Sequence, residues 1–316
     1  MKAVILKNTG APSQLQVEEV NTPHPQKDEI LVQTKAFSIN PIEVKTRKGN
    51  PFSAKLLADP PSILGWDASG VVHEVGENVN SFSKGDRVFG IIGFPHFGKT
   101  YAEYFIAKEK DLCHIPKSVD FLEAAVSNIA ALTAYQALHH EAKLAPGMRI
   151  LIHAASGGVG HFAVQLATLY GAKVYATASK EKHGFLQSLG TDFLIDYKTQ
   201  TFEDVLPEEM DVVFDLLGGS YIKRSLQTLK KGGLLISIPS ATNATAEEQA
   251  KAAGKRGLRF IMKANPVDLA AVAELLEEKK LKPYISKVYE MTDIQKAHQH
   301  LEDGHVKGKI VVIPAH

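Results

Sequence analysis

The sequence predicts an α/β protein in two parts, a β-rich module followed by a doubly wound parallel sheet. Three observations carry this. Residues 1 to about 120 hold short strand-like runs separated by turn residues. From about Phe121 onward, helical and strand-like segments alternate. Residues 149–183 read as strand, glycine turn, amphipathic helix and second strand.

In the first part, the strand-like runs are 3–6, 16–20, 29–36, 70–76, 86–90 and 101–106. Asn8-Thr9-Gly10, Asn21-Thr22-Pro23 and Ser83-Lys84-Gly85-Asp86 supply turns between them. Segments 122–125 and 130–138 are helix-rich. Beyond the central unit come helix 181–189, strand 193–195, helix 201–206, strand 211–215, helix 220–229 and strand 234–238. Thr242 to Arg256 is small, polar and charged, and reads as a loop or a mobile surface helix. Val267 to Lys280 is a helix with Leu269, Val272, Leu275 and Leu276 apolar. The tail reads as strand 284–289, helix 294–301 and strand 310–313. Composition alone leaves open whether it returns to the first part.

The central unit is the most specific stretch. Ile150, Leu151 and Ile152 form the apolar run of a buried parallel strand. Ala155, Gly157 and Gly160 occupy the small-residue positions of a dinucleotide-binding turn. Phe162, Ala163, Leu166, Ala167 and Tyr170 recur at helical spacing, and Gly171 stops the helix. Small residues let the backbone approach a pyrophosphate, and the free N–H groups at the helix start attract its charge. The tip of the second strand bears on the choice of cofactor. NAD-binding units place Asp or Glu there for the ribose hydroxyls. Here Ala178-Ser179-Lys180-Glu181-Lys182 follows, with no carboxylate at the tip. A hydroxyl and two lysines suit a 2′-phosphate, so the expected cofactor is NADP(H). Ordinary surface lysines are the alternative, and Glu181 stands between them.

A chain of 316 residues is long enough for two domains. Hydrophobic content of 44% with 22% charged residues fits a soluble protein, and a net charge of +1 favours neither nucleic acid nor an anionic membrane as partner. Cys113 is the only cysteine, which excludes an intrachain disulfide and a multi-cysteine zinc site. The N-terminus shows no signal-peptide pattern and no apolar run spans a bilayer, so a cytoplasmic location is expected.

Several separated motifs resemble the medium-chain dehydrogenase/reductase superfamily, in its zinc-free quinone-oxidoreductase-like branch. They are Asn40-Pro41-Ile42-Glu43, Leu64 to Val72, Val75-Gly76 with Lys84 to Val88, and Ala131 to Tyr135. Ala154 to Gly160, Phe214 to Gly219 and Lys307 to Val312 complete them, so essentially the whole chain is covered. The resemblance implies a GroES-like β-barrel domain (1–121 and 282–316), a Rossmann NADP-binding domain (122–281) and an active-site cleft between them. It also implies a homodimer joined through the Rossmann sheets.

Zinc-dependent relatives carry Cys, a Gly-His-Glu run and a further Cys as catalytic ligands. The matching positions here are Asn40, Trp66 with Asp67, and Ile129. These do not make a tetrahedral zinc site, so no metal is expected. The histidines offer no substitute. His139 and His140, adjacent on a helix, should point apart, and His298 and His300 lack ligand spacing; surface or capping roles are expected.

Hydride chemistry then falls to the cofactor. The expected reaction is hydride transfer from NADPH to a quinone or to the β-carbon of an α,β-unsaturated carbonyl. By resemblance, Asn40 lies near the nicotinamide and the substrate carbonyl as a donor, though a turn asparagine before Pro41 is the plainer alternative. Thr133 contacts the nicotinamide or its phosphate, with an ordinary helix threonine as the alternative. Ser156, Gly157, Gly158, Val159 and Gly160 hold the pyrophosphate. Ser179 and Lys182, with Lys180 in reserve, hold the 2′-phosphate. Tyr197 stacks by the adenosine, Leu217, Gly218 and Ile238 line the ribose and nicotinamide side, and Lys309 reaches back to the cofactor. Many relatives carry tyrosine where this chain has Lys45, which could polarise a carbonyl or be a surface lysine. Phe52, Phe94, Phe97 and Tyr101 could form an apolar substrate wall. An enoyl-thioester reductase would need Tyr101 as donor. An NADPH-binding sensor or structural protein without turnover is the third reading.

Overall fold

The computed structural model describes residues 1–238 and 242–314. Strands β1 (Lys2–Leu6), β2 (Leu15–Glu19) and β3 (Ile30–Ile39) precede helices α1 (Pro41–Lys48) and α2 (Pro51–Leu57). Then come β4 (Asp67–Val75), β5 (Arg87–Ile91), β6 (Tyr104–Ala107), β7 (Leu112–His114), α3 (Phe121–Val126) and α4 (Ile129–Gln136). The alternating region holds β8 (Arg149–Ile152), α5 (Gly160–Leu169), β9 (Lys173–Ala178), α6 (His183–Ser188), β10 (Phe193–Asp196) and α7 (Phe202–Val205). It continues through β11 (Met210–Asp215), α8 (Ser220–Thr228), β12 (Leu229–Ser237), α9 (Ala246–Ala252) and β13 (Arg256–Arg259). The chain closes with α10 (Pro266–Glu277), β14 (Ile285–Glu290), α11 (Ile294–Glu302) and β15 (Lys309–Ile313).

Two compact units result. One comprises Met1–Ile129, Lys263–Lys279 and the tail from Pro283; the other comprises Ala130–Met262 and Lys280–Lys282. This division and the expected domain limits part over 122–129, 263–279 and residue 282. Helix α3 lies on β3, β4 and β15, and α10 lies on β7, so both go with the first unit.

The first unit is built on a seven-stranded sheet of order β14-β15-β3-β4-β5-β7, with β6 also paired to β3. The tail does return: β15 runs antiparallel to β3, with Ile310 opposite Ile39 and Val311 opposite Ser38. Ile30, Val32, Phe37, Val72, Val88, Phe105, Ile310 and Val312 fill its core. The second unit is an all-parallel six-stranded sheet of order β10-β9-β8-β11-β12-β13, the doubly wound pattern expected from the alternation. No helix among the described residues is long and apolar enough to cross a membrane.

The sequence reading treats residues 1–120 as mostly β and so omits α1 and α2. Each starts on an asparagine followed by proline. The proline presets the first helical φ, and Asn50 Oδ1 accepts from Phe52 N at 2.9 Å. Thr242 to Arg256 contains a helix, one of the two forms expected for it. The helix, α9, has Ala246 and Ala250 buried, and a turn after it leads into the edge strand β13. His139 and His140 do not point apart. Residues 137–141 form a π turn, and its wider winding brings the two rings to 4.9 Å. His298 is fully buried rather than at the surface.

Candidate active site

In the second unit, residues 153–159 carry the chain from β8 into α5. The turn is closed by Gly157 N donating to Ala154 O (3.0 Å) and tied to β9 by Ala155 N donating to Thr177 O (3.2 Å). The amides of Ser156, Gly158 and Val159 have no acceptor among the described residues. Gly160 is sterically required: a Cβ there would lie 2.5 Å from Ala154 O and 2.6 Å from Ala155 O. Strand end and helix start can meet this closely only through glycine. Free amides at the start of a ten-residue helix, with its positive dipole end, fit a diphosphate. The expected group 156–160 is therefore brought together.

Ser179 follows β9 directly. The β9–β10 register pairs Ala178 with Asp196, so Tyr197 follows on the neighbouring strand end; it is 45% exposed. Lys180 to Lys182 form one 3₁₀ turn, with Lys180 exposed and Lys182 half-buried. The exposed Glu181 belongs to this turn as well. Its carboxyl is held down at about 2, first by the Ser179 hydroxyl, then by its own amide and by Lys198, whose Nζ lies 3.4 Å away. A negative group thus stands among the residues expected to hold a 2′-phosphate.

The other strand ends meet at Asp215, a buried residue that the sequence reading did not single out. Its carboxylate accepts from Leu217 N and Gly218 N (both 2.9 Å) and from Ser237 Oγ (2.9 Å), and its carbonyl accepts from Ile238 N (3.0 Å). Leu217, Gly218 and Ile238 are thereby fixed at the carboxyl ends of β11 and β12, the edge where open α/β sheets bind ligands. Leu217 is 43% exposed, and Thr133 is buried in α4.

In the first unit, Asn40 caps α1 and sits in a buried polar cluster. Its Nδ2 donates to Asp67 Oδ2 (3.0 Å) and Glu43 Oε1 (3.3 Å), and its Oδ1 accepts from Lys309 Nζ. Both N–H donors of the Asn40 amide are therefore engaged within the protein, so the role expected for it, donor to a substrate carbonyl, is not offered in this arrangement. Lys309 Nζ also donates to Ile39 O (3.2 Å) and stands 3.7 Å from Asp67 Oδ2. Asp67 further accepts from Ser38 Oγ (2.7 Å) and Ile129 N (3.1 Å). Burial, and then the Asp67 charge, push Glu43 up to about 8. Burial raises Asp67 against the pull of Lys309, and lowers Lys309 against the pull of Asp67 and Glu43. Sequence patterning alone gives Glu43 and Asp67 no catalytic or binding role. The Asn-x-x-Glu spacing of a capping box was the available signal for Glu43.

The expected aromatic wall is partly assembled. Phe52, Phe94 and Phe97 surround the ring of Trp66 at centroid distances of 6.5, 6.2 and 6.1 Å. The Trp66 indole donates to His96 O at 2.5 Å. Tyr101 is not part of this group. It is fully buried, stacked on Phe37 at 4.6 Å, with its hydroxyl 3.3 Å from His298 Nε2. The expectation of Tyr101 as a proton donor is corrected accordingly, because the phenol is enclosed in the core. Lys45 is exposed in the last turn of α1.

Comparison with known proteins agrees with this architecture. Residues 26–117 match the alcohol dehydrogenase GroES-like domain family, and residues 189–312 match a family described as zinc-binding dehydrogenase. The chain is 33% identical to the NADPH-dependent alkenal/one oxidoreductase of Arabidopsis thaliana chloroplasts, over 99% of this chain and 80% of that one. Among solved structures, the quinone oxidoreductase of Coxiella burnetii superposes with a TM-score of 0.95 at 38% identity, covering 99% of both chains. The Escherichia coli quinone oxidoreductase complexed with NADPH gives 0.86 at 26% identity, over 99% of this chain and 100% of that one. With its GroES-like domain and its Rossmann sheet, the chain belongs to the quinone-oxidoreductase-like branch of the medium-chain dehydrogenase/reductase superfamily.

Proposed function

We propose that this protein is a zinc-independent, NADPH-dependent reductase acting on a quinone or an α,β-unsaturated carbonyl. The observation that carries the reading is the turn at 154–160, with three open amides over a helix start that only Gly160 permits. Two of the relatives named above, an NADPH-dependent alkenal/one oxidoreductase and a quinone oxidoreductase complexed with NADPH, support the choice of cofactor and substrate class.

In this reading the amides of Ser156, Gly158 and Val159, with Gly157 and Gly160, bind the pyrophosphate. Ser179, Lys180 and Lys182 bind the 2′-phosphate, displacing Glu181 toward Lys198. Tyr197 packs on the adenosine. Thr133, Leu217, Gly218 and Ile238 orient the nicotinamide end, the last three through Asp215. Bound NADPH supplies the hydride. The conjugated acceptor takes the electron pair onto its own oxygen, and a solvent proton completes the reduction. The Trp66 cluster of Phe52, Phe94 and Phe97 supplies an apolar wall suited to a flat, conjugated substrate. Residues 1–121 and 282–316 serve the substrate, and 122–281 the cofactor. The cytoplasm is the proposed compartment.

A homodimer through the second unit's sheet fits the open edge of β13 and the 60% exposed Ile261 beyond it.

The test is consumption of NADPH, followed by absorbance, with phenanthrenequinone, simple enones and crotonyl thioester. Turnover of the quinone or an enone is expected. Turnover of the thioester alone would move the protein to the enoyl reductases, and tight NADPH binding without turnover of any would make it a binding protein.

A further inference from the structure

We propose that the Lys309 ammonium is a built-in cation that stands in place of a metal at this site and fixes the carboxamide of Asn40. The inference rests on the reading of this cluster as part of an active site.

The matched family description implies zinc. The residues here do not fit it. Of the positions matching zinc ligands by resemblance, Asn40, Asp67 and Ile129 converge, with Asn40 Nδ2 and Ile129 N donating to opposite oxygens of Asp67 at 3.0 and 3.1 Å, while the Trp66 indole donates to His96 O. They offer a metal little. The Asn40 oxygen is occupied by Lys309, the Asp67 carboxylate is shared among Ser38, Asn40 and Ile129, and Ile129 has no side-chain donor atom. No three His, Cys, Asp or Glu side chains gather into a metal site among the described residues.

The cluster is nevertheless built to hold a cation, because the Nζ of Lys309, a residue only 4% exposed, faces three oxygens, Asn40 Oδ1, Ile39 O and Asp67 Oδ2. The fold delivers it deliberately. The antiparallel register that sets Ile310 against Ile39 brings Lys309 beside Asn40. The main chain is pinned just before it, since Lys309 N donates to Tyr284 O (2.8 Å) and a Cβ at Gly308 would lie 2.1 Å from that same oxygen. An ammonium carries three N–H donors, which suits neutral oxygens and one carboxylate, and it needs no thiolate or imidazole. With Oδ1 held by Lys309, the Asn40 amide must turn Nδ2 toward Asp67 and Glu43. Lys309 is thus a positioning residue for Asn40 and a counter-ion for Asp67.

The experiment truncates the side chain and returns the cation. Lys309→Ala vacates a space matching n-propylammonium. Thermal unfolding of this variant is followed with propylammonium, and with tetramethylammonium, which has the charge but no N–H donor. Saturable stabilisation by propylammonium alone is expected, with no such response in the wild type. Should the variant not fold alone, its refolding yield with and without propylammonium is the readout. Equal effects of both amines, no effect of either, or one tightly bound zinc per dialysed wild-type chain would overturn the proposal. Amine-specific stabilisation alongside a wild type that oxidises no NADPH would overturn the functional reading and leave the cation site standing.

Discussion

The main-chain amide of Asn40 donates to the Glu43 carboxylate across 2.8 Å, closing the first turn of α1 on a buried acid. Burial and the Asp67 charge put that acid at about 8, against its ordinary 4.5. The folded protein therefore holds a proton on Glu43 through the interval in which the unfolded chain has released it. The sign follows. Glu43 lowers stability progressively as pH rises from about 4.5 to 8, by at most about 1.4 kcal/mol per pH unit. Glu43→Gln keeps the shape and removes the titration. Denaturant unfolding from acid to mildly alkaline pH should show the variant gaining on the wild type through that interval. Parallel curves would refute a buried, proton-holding Glu43.

His153 works in the opposite direction. It is fully buried at the end of β8, with Nδ1 3.1 Å from Thr177 Oγ1 and Nε2 3.0 Å from Ser225 Oγ. Desolvation lowers it from 6.5 to about 4. The folded state then binds fewer protons than the unfolded chain between those values, so its contribution is present above 6.5 and lost as pH falls toward 4. His153→Asn should be less stable at neutral pH, with a shallower decline on acidification, when both are followed by thermal unfolding.

Cofactor preference turns on the short 3₁₀ turn after β9. Ser179→Ala with Lys182→Ala should weaken NADPH by about 1.5–3 kcal/mol while leaving NADH nearly unchanged, as for loss of a charge-assisted phosphate contact. Glu181→Gln should act the other way, raising the NADPH over NADH ratio, because the Glu181 carboxylate, 3.4 Å from Lys198 Nζ, repels a phosphate. Calorimetric titration with both cofactors reads each change. Equal losses for the two cofactors in the double variant would exclude these residues from the phosphate site.

Gly160→Ala tests the close approach itself. The added methyl would lie 2.5 Å from Ala154 O, which is main chain and cannot swing aside. The turn must open, so cofactor binding should be lost by both NADPH and NADH, with a stability cost on the order of 1–3 kcal/mol for forced overpacking. Gly157→Ala meets the same oxygen at 3.3 Å and should be milder. Similar binding losses in the two variants would show that the strand–helix approach is not the constraint.

The second unit was largely legible in the sequence because each parallel strand there is a short apolar run and each crossover a helix with its own period. Residues 150–152, 174–178, 193–195 and 211–215 all lie within observed strands. Strand β13 was missed because Arg256-Gly257-Leu258-Arg259 at a sheet edge is half exposed and has no apolar run. In the first unit, the polar cluster was only half legible. Asn40 and Lys309 lie 269 residues apart, and their meeting depends on the β3–β15 register, which no local pattern encodes. The burial of Asp67, Glu43 and His298 was hidden for a related reason. Charge and polarity in a sequence read as surface until a partner is placed opposite.

Tyr101 separates the reductase reading from the enoyl-thioester one most directly. A donor phenol must be open to the reacting carbon or oxygen. Here the ring lies in the core against Phe37 and the hydroxyl meets His298 Nε2 at 3.3 Å. Burial raises this phenol well above its ordinary range, with Glu43 and Asp67 adding to the effect, so it keeps its proton at any working pH. Tyr101→Phe should therefore retain kcat with quinones and enones within about twofold, while losing about 0.5–1.5 kcal/mol of stability with the hydrogen bond to His298. The variant also discriminates between structural and chemical loss, because a destabilised enzyme regains its rate when assayed at lower temperature and a missing proton donor does not. A fall in kcat of a hundredfold or more that persists in the cold, with the cofactor Kd unchanged, would mean that the phenol reaches the substrate.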